Sequence, residues 1–108
     1  MRITVGHTPD SDDAFMFYGM LTGKVHSSDF EVEQVVEDIE ELNRRALLGE
    51  LDVTAVSVHA CAHLPEYTIL RAGGSFGIGY GPIVLARHQM SLEDVTKSKI
   101  AIPGKMTS

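Results

Sequence analysis

The sequence contains one cysteine, Cys61, so no internal disulfide can form, and it has no C-x-x-C pair of the kind that binds structural zinc. No apolar run approaches the ~20 residues of a membrane-spanning helix, and no basic segment followed by an apolar one precedes the run RITVG. Basic residues are also few, nine against fifteen acidic ones, and they are scattered along the chain. We therefore expect a cytoplasmic protein that binds a small molecule rather than nucleic acid or a membrane.

The chain is the size of one small domain. Its 108 residues are 44% hydrophobic and 22% charged, close to the averages of globular proteins. This length allows one hydrophobic core and is short for a two-domain enzyme.

Strand-like and helix-like segments alternate along the first part of the chain. We predict strands at residues 2–7, 29–36 and 52–56, and helices at 12–21, from Asp38 to the stop at Gly49, and from Ser57 to about residue 64. Further strands are predicted at 68–71, 82–86 and 99–102, with a helical turn opened by Ser91-x-x-Asp94. This order predicts an α/β protein with a mostly parallel sheet covered on both faces, whose ligands bind beyond the carboxyl ends of the strands.

Three polar segments follow predicted strands: TPDSDD, SVHA and PGKMTS. The aspartates of the first do not form an EF-hand loop, because Phe15 and Leu21 stand where that loop needs Gly and Glu. Asp10 and Asp12 either complement the helix dipole or face a ligand, and the pattern leaves both readings open. Asp13 is the aspartate that we expect to face a ligand.

The histidines His59 and His63 lie four residues apart on one predicted helix face, but no third metal ligand is evident. PGKMTS differs from a phosphate-binding loop, which would need glycine at Lys99 and Ser or Thr at Met106. We therefore expect no metal and no cofactor. The glycine turn with Thr107 and Ser108 suits a ligand carboxylate instead, since backbone N–H groups point outward at a helix start.

Four blocks, TPDSDDAFMFYG, VEDIEELNRRALLGELDVTAVS, LRAGGSFGIGYGPIVLAR and IAIPGKMTS, occur in this order and at these spacings. Together they resemble the N-terminal part of the 1,4-dihydroxy-6-naphthoate synthase family. These are lyases of the futalosine route to menaquinone, and they cleave cyclic dehypoxanthine futalosine.

The resemblance implies a fold like that of type II periplasmic binding proteins, in which two α/β lobes close on a ligand. Residues 1–87 would form most of the first lobe, and residues 88–108 the connection to the second lobe and its start. The implied substrate-binding residues are Ala55, Val56, Ser57, Thr107, Ser108, Asp13 and Asn43.

The family's general base is a histidine of the second lobe, and none of the five histidines in this sequence matches it. The resemblance therefore implies that the 108-residue chain is an N-terminal fragment, an incomplete clamshell without activity of its own. Two other functions stay open: a non-catalytic solute-binding protein of the same fold, and an inactive interaction fragment. The missing export signal favours the enzyme over the solute-binding protein.

Overall fold

The computed structural model describes residues 1–108 and contains three strands and four helices. In chain order they are β1 (Arg2–His7), α1 (Ser11–Leu21), β2 (Glu31–Val36), α2 (Ile39–Leu47), β3 (Val53–Thr54), α3 (Val58–Cys61) and α4 (Leu92–Thr96). Strands and helices alternate as predicted as far as α3.

The three strands form one open sheet in the order β2-β1-β3, and both pairings are parallel. Strand β1 pairs with β2 along its whole length, from Arg2 opposite Glu31 to His7 opposite Val36. The predicted α/β class with a parallel sheet is confirmed. Because all strands run in one direction, their carboxyl ends lie along a single edge of the sheet.

A set of hydrogen bonds between Thr4 and Asp52 lies at the start of the short pairing of β1 with β3. Both the backbone N–H and the hydroxyl of Thr4 donate to Asp52 Oδ2, each over 2.8 Å, and the Asp52 N–H donates back to the Thr4 hydroxyl. These bonds lower the pKa of the Asp52 carboxyl, first through the Thr4 N–H and then through its hydroxyl. These hydrogen bonds directly precede the two paired residues of β3 and fix the register of β3 against β1.

The core lies between the sheet and helix α2. Its buried apolar residues are Val5, Leu42, Ala46, Leu51, Ala60 and Leu64. Helix and sheet approach closely at Gly6, where an added Cβ would lie 2.8 Å from Thr54 Oγ1 and 2.9 Å from Leu42 Cδ2. Any larger residue at this position would push α2 away from the sheet.

Helix α2 begins and ends where the sequence predicts. The Asp38 side chain accepts hydrogen bonds from the N–H groups of Glu40 and Glu41, and Gly49 follows the helix with a φ of +67°. Asp38 and Glu41 have the spacing of a capping box, but only the Asp38 half forms, because the Glu41 carboxylate pairs with Arg44 rather than returning to the N-cap. A complete capping box occurs at α4, between Ser91 and Asp94.

The element boundaries differ from the prediction at four places. Helix α1 begins one residue earlier, and β2 begins two residues later. Strand β3 pairs only at Val53–Thr54, opposite Val5 and Gly6, and stops one residue short of the end of β1. Helix α3 ends at Cys61, and a series of tight turns leads from there to Pro65.

The strands predicted at 68–71, 82–86 and 99–102 do not form. These segments are exposed along their length, and no neighbouring strand is present to pair with them. A strand without a ladder partner leaves its backbone groups to the solvent, so the apolar pattern alone does not produce one. The radius of gyration of 17.0 Å accordingly exceeds the ~13 Å expected for a compact chain of this length.

Candidate ligand-binding edge of the sheet

The polar residues of interest gather at the carboxyl edge of the sheet. The segment after β1 leads into α1, the segment after β2 leads into α2, and the segment after β3 leads into α3. Ligands of parallel α/β sheets bind beyond this edge. A shallow depression of about 400 Å³ lies at the opposite edge, around Met1, Arg2 and residues 27–31, and it contains none of the predicted site residues.

The acidic turn after β1 is organised by Asp13, which is 5% exposed. Its Oδ2 accepts hydrogen bonds from the backbone N–H of Thr8 over 2.7 Å and from the Thr8 hydroxyl over 2.8 Å. One oxygen of the carboxylate is therefore used to hold the turn, while Oδ1 has no protein partner. Direct contact of Asp13 with a ligand stays a prediction, now restricted to that oxygen.

The two other aspartates of the turn are exposed. Asp10 occupies the N-cap position of α1 without a side-chain capping bond, and Asp12 lies in the first turn of the helix. Their placement fits a favourable interaction with the helix dipole.

A buried histidine, His7, was predicted only as a polar strand-end residue. Its ring stacks on Phe17 with 4.9 Å between ring centres, and Nδ1–H donates to the Thr8 carbonyl oxygen over 2.9 Å. This bond places the proton on Nδ1 and leaves Nε2 as an acceptor, which is buried without a protein donor. Its position within the strand pattern gave no sign of this arrangement.

Asn43 and Ser57 form a reciprocal pair that joins α2 to the start of α3. The Ser57 N–H donates to Asn43 Oδ1 over 2.9 Å, and Asn43 Nδ2–H donates to the Ser57 hydroxyl oxygen over 3.1 Å. The Asn43 side chain is fully buried. Ser57 stands at the N-cap of α3, but its side chain does not cap the helix.

The pair leaves the hydrogen of the Ser57 hydroxyl without a protein acceptor, because the oxygen only accepts from Asn43. Ser57 can therefore donate to a ligand beyond the end of β3. Of its predicted companions, Ala55 donates its N–H to the Gly6 carbonyl, and Val56 packs against the core residues Ala46, Ala60 and Leu64. Any contact of Val56 with a ligand would involve its backbone.

The C-terminal segment 104–108 returns to the same region. Met106 packs against the core, and the Ser108 hydroxyl oxygen accepts a hydrogen bond of 3.0 Å from the His59 N–H in α3. The backbone N–H groups of Thr107 and Ser108 donate to no protein acceptor. Together with the Ser108 hydroxyl hydrogen, they can donate to a carboxylate.

The Glu40 carboxylate lies against this segment. It accepts hydrogen bonds from the N–H groups of Lys105 and Met106 and from the Thr107 hydroxyl. Glu40 and Asn43 both belong to α2, so one helix contacts both segments that the sequence analysis assigned to substrate binding. Sequence reasoning missed Glu40, and no local pattern connects it to residues so far along the chain.

The basic residues of α2 are engaged in ion pairs with neighbouring glutamates. Arg45 bridges Glu37 and Glu50, and the hydrogen bond to Glu37 is the main cause of the raised pKa of Arg45. Arg44 pairs with Glu41. A ligand carboxylate would thus meet hydroxyl and backbone donors rather than these guanidinium groups.

His59 in α3 and His63, two residues beyond the end of that helix, do not form a metal site with other residues. The rings of His59 and His63 lie edge to face, 5.4 Å apart, and no group of three His, Cys, Asp or Glu side chains is close enough together to hold a metal ion. No helix has both the length and the apolar character needed to cross a membrane.

Residues 3–108 match the protein family described as menaquinone biosynthesis. The chain belongs to this family. It is 39% identical over 107 residues to a 1,4-dihydroxy-6-naphthoate synthase of Thermus thermophilus and 29% identical to one of Streptomyces coelicolor. The resemblance stated from the four sequence blocks is thereby confirmed.

The match covers 98% of this chain but 38% of the Thermus protein and 37% of the Streptomyces protein. The chain thus spans a little over a third of the length of these family members. It is also similar to the crystal structure of a protein from Archaeoglobus fulgidus, with 56% identity and a TM-score of 0.73. That similarity covers 84% of this chain and 34% of the archaeal one.

Proposed function

We propose that the protein acts as a 1,4-dihydroxy-6-naphthoate synthase, the lyase that cleaves cyclic dehypoxanthine futalosine in menaquinone biosynthesis. The observation that carries the proposal is the 39% identity to the Thermus thermophilus enzyme over nearly the whole of this chain. The hydrogen-bonding groups without a protein partner at the carboxyl edge of the sheet support the proposal.

In this proposal the fold is a two-lobed clamshell similar to type II periplasmic binding proteins. Residues 1–87 belong to the first lobe, and 88–108 connect it to the second. The return of Thr107 and Ser108 to α2 and α3 supports a ligand site where the two lobes meet.

The substrate is held through polar groups at both ends. The N–H groups of Thr107 and Ser108, with the Ser108 hydroxyl, offer donors for its carboxylate, and the Ser57 hydroxyl offers a further donor to another part of the substrate. Asp13 Oδ1 is an acceptor for a sugar-like hydroxyl. Such two-ended recognition orients the substrate for proton abstraction by a histidine beyond Ser108.

The test is conversion of cyclic dehypoxanthine futalosine by the intact protein, followed by chromatography of the 1,4-dihydroxy-6-naphthoate formed. We expect turnover without added metal or cofactor. Calorimetric binding of the substrate without product would indicate a solute-binding protein instead, and absence of both would exclude the proposal.

A matched pair of serine variants tests the carboxylate site. Ser108→Ala removes a donor at the site, whereas Ser98→Ala removes an exposed hydroxyl that donates to the Asp94 carbonyl. We expect Ser108→Ala to raise KM about tenfold, since a lost hydrogen bond to a charged group is worth about 1.5–3 kcal/mol. Ser98→Ala should leave KM unchanged, and equal values for the two variants would remove Ser108 from the site.

A further inference from the structure

Glu40 makes the densest set of long-range hydrogen bonds in the molecule. Its Oε1 accepts from the Lys105 N–H over 2.9 Å, and its Oε2 accepts from the Met106 N–H over 3.1 Å and from the Thr107 hydroxyl over 3.2 Å. Consecutive N–H groups converging on one anion form a backbone nest, and bonds to an ionised acceptor are roughly twice as strong as neutral ones. The turn at 104–107 is therefore tied to the first turn of α2 by a side chain 65 residues away.

The backbone of the turn is shaped to admit this carboxylate. At Gly104 an added Cβ would lie 2.1 Å from Glu40 Cδ, so even an alanine would occupy the position of the carboxylate. The contact thus depends on two features that are far apart in the sequence, an acid in α2 and a residue without a side chain in the turn.

The same helix holds the other predicted substrate segment. One turn along α2, Asn43 is bonded to both the N–H and the hydroxyl of Ser57. Glu40 and Asn43 lie three residues apart and hence on the same side of the helix. Neither segment lies within a helix or strand, so their relative placement depends on the bonds to α2 together with the bond from the His59 N–H to the Ser108 hydroxyl.

We infer that Glu40 is a positioning residue: it sets Thr107 and Ser108 at a fixed distance from Ser57, with helix α2 as the common support. This inference rests on the proposed function, because the two segments matter together only if one substrate bridges them. The Thr107 hydroxyl donates its hydrogen to Glu40, so it meets the substrate only as an acceptor. The substrate carboxylate is left to the N–H groups of Thr107 and Ser108 and to the Ser108 hydroxyl.

The test compares Glu40→Gln with Glu41→Gln in the intact protein. Both changes remove one negative charge from the first turn of α2, but Glu41 contacts only Arg44 and not the turn. We expect Glu40→Gln alone to speed amide hydrogen exchange at Lys105 and Met106 by about tenfold or more. It should also raise KM about tenfold with kcat nearly unchanged, since the groups it positions bind the substrate before the chemical step.

A second variant distinguishes the positioning role of Glu40 from the effect of its negative charge. Gly104→Ala keeps the Glu40 charge but fills its site, so it should reproduce both effects of Glu40→Gln. The double variant should be little worse than either single one, because both remove the same contact.

Unchanged exchange at Lys105 and Met106 in Glu40→Gln would overturn the inference, and so would faster exchange with an unchanged KM. A lower KM would also overturn it, because Glu40 would then compete with the substrate carboxylate. If the unaltered protein showed no lyase activity, the proposed function would fail, while the exchange measurement would still decide whether Glu40 holds the turn.

Discussion

Replacing Ser57 by alanine removes the only acceptor of the Asn43 Nδ2–H group. Asn43 is fully buried, so the amide cannot turn to water and its donor is left unsatisfied. A buried donor without an acceptor lowers the free energy of unfolding by about 1–3 kcal/mol. Ser57→Ala should therefore destabilise the protein by that amount, whether or not Ser57 contacts the substrate.

Asn43→Ala should cost at least as much, since it leaves the Ser57 backbone N–H without its acceptor and removes both bonds of the pair. The double variant should cost less than the sum of the two single ones. In the double variant the Asn43 amide no longer exists, so the Ser57→Ala change leaves no further buried donor without an acceptor. We expect a coupling energy of about 1 kcal/mol, within the range seen for directly bonded pairs.

The measurement is urea unfolding of the intact protein, with Arg44→Ala as the control on the same helix. Arg44 is exposed and pairs only with Glu41, so its removal should change stability by no more than about 0.5 kcal/mol. A coupling energy indistinguishable from zero would refute the reciprocal bond. Substrate contact is then judged from kcat/KM of Ser57→Ala at a temperature where the variant is fully folded, and we expect a loss of about 1–3 kcal/mol in transition-state energy.

Four further outcomes are expected. The 108-residue chain produced alone should not turn over cyclic dehypoxanthine futalosine, because the general base of the proposed mechanism is a histidine of the second lobe; measurable product would contradict this. The same chain should self-associate in sedimentation experiments, since apolar side chains such as Leu85, 88% exposed, are uncovered; a monodisperse monomer at high concentration would count against it. Leu42→Ala, at a fully buried position, should lower the free energy of unfolding by about 2–5 kcal/mol, well beyond the effect of Leu47→Ala at an exposed one. Asp52 has a lowered pKa in the folded state, so its stabilisation is complete above its ordinary value of 3.8 and is lost as pH falls through the lower folded value; Asp52→Asn should therefore flatten the stability curve below pH 3.8, and an unchanged curve would exclude the hydrogen bonds between Asp52 and Thr4.

The first 60 residues were predictable because local signals and packing agree there. The alternation of β1, α1, β2 and α2 follows from apolar periodicity, and Asp38 and Gly49 mark the ends of α2 by capping chemistry that depends only on neighbouring residues. Boundaries were less predictable, since β3 stops after Thr54, before its own apolar pattern ends and one residue before the end of β1.

The later strands could not be predicted correctly from pattern alone. Segments such as PIVLA have the composition of a buried strand, but a strand exists only where another one offers a ladder of hydrogen bonds. The pattern records which residues prefer burial and says nothing about what covers them.

The candidate site was predictable only in part. Ser57, Thr107, Ser108 and Asn43 were named from the family resemblance, and the structure joins them through bonds to α2 and α3. Glu40 was missed because its partners lie 65 to 67 residues away, and a long-range contact leaves no trace in local sequence. Ser57 occupies an N-cap position, yet its hydroxyl accepts from Asn43 and makes no capping bond, which the local sequence could not show.

The close approach at Gly6 links the interior of the sheet to the ligand site. A methyl group at residue 6 would meet Leu42 and Thr54, and relief would come by moving α2 outward. Because Asn43 and Glu40 move with that helix, one apolar carbon in the central strand would shift both segments of the proposed substrate site together. A screen of random variants for lost activity would therefore recover substitutions at position 6, a residue that has no side chain to contribute to chemistry.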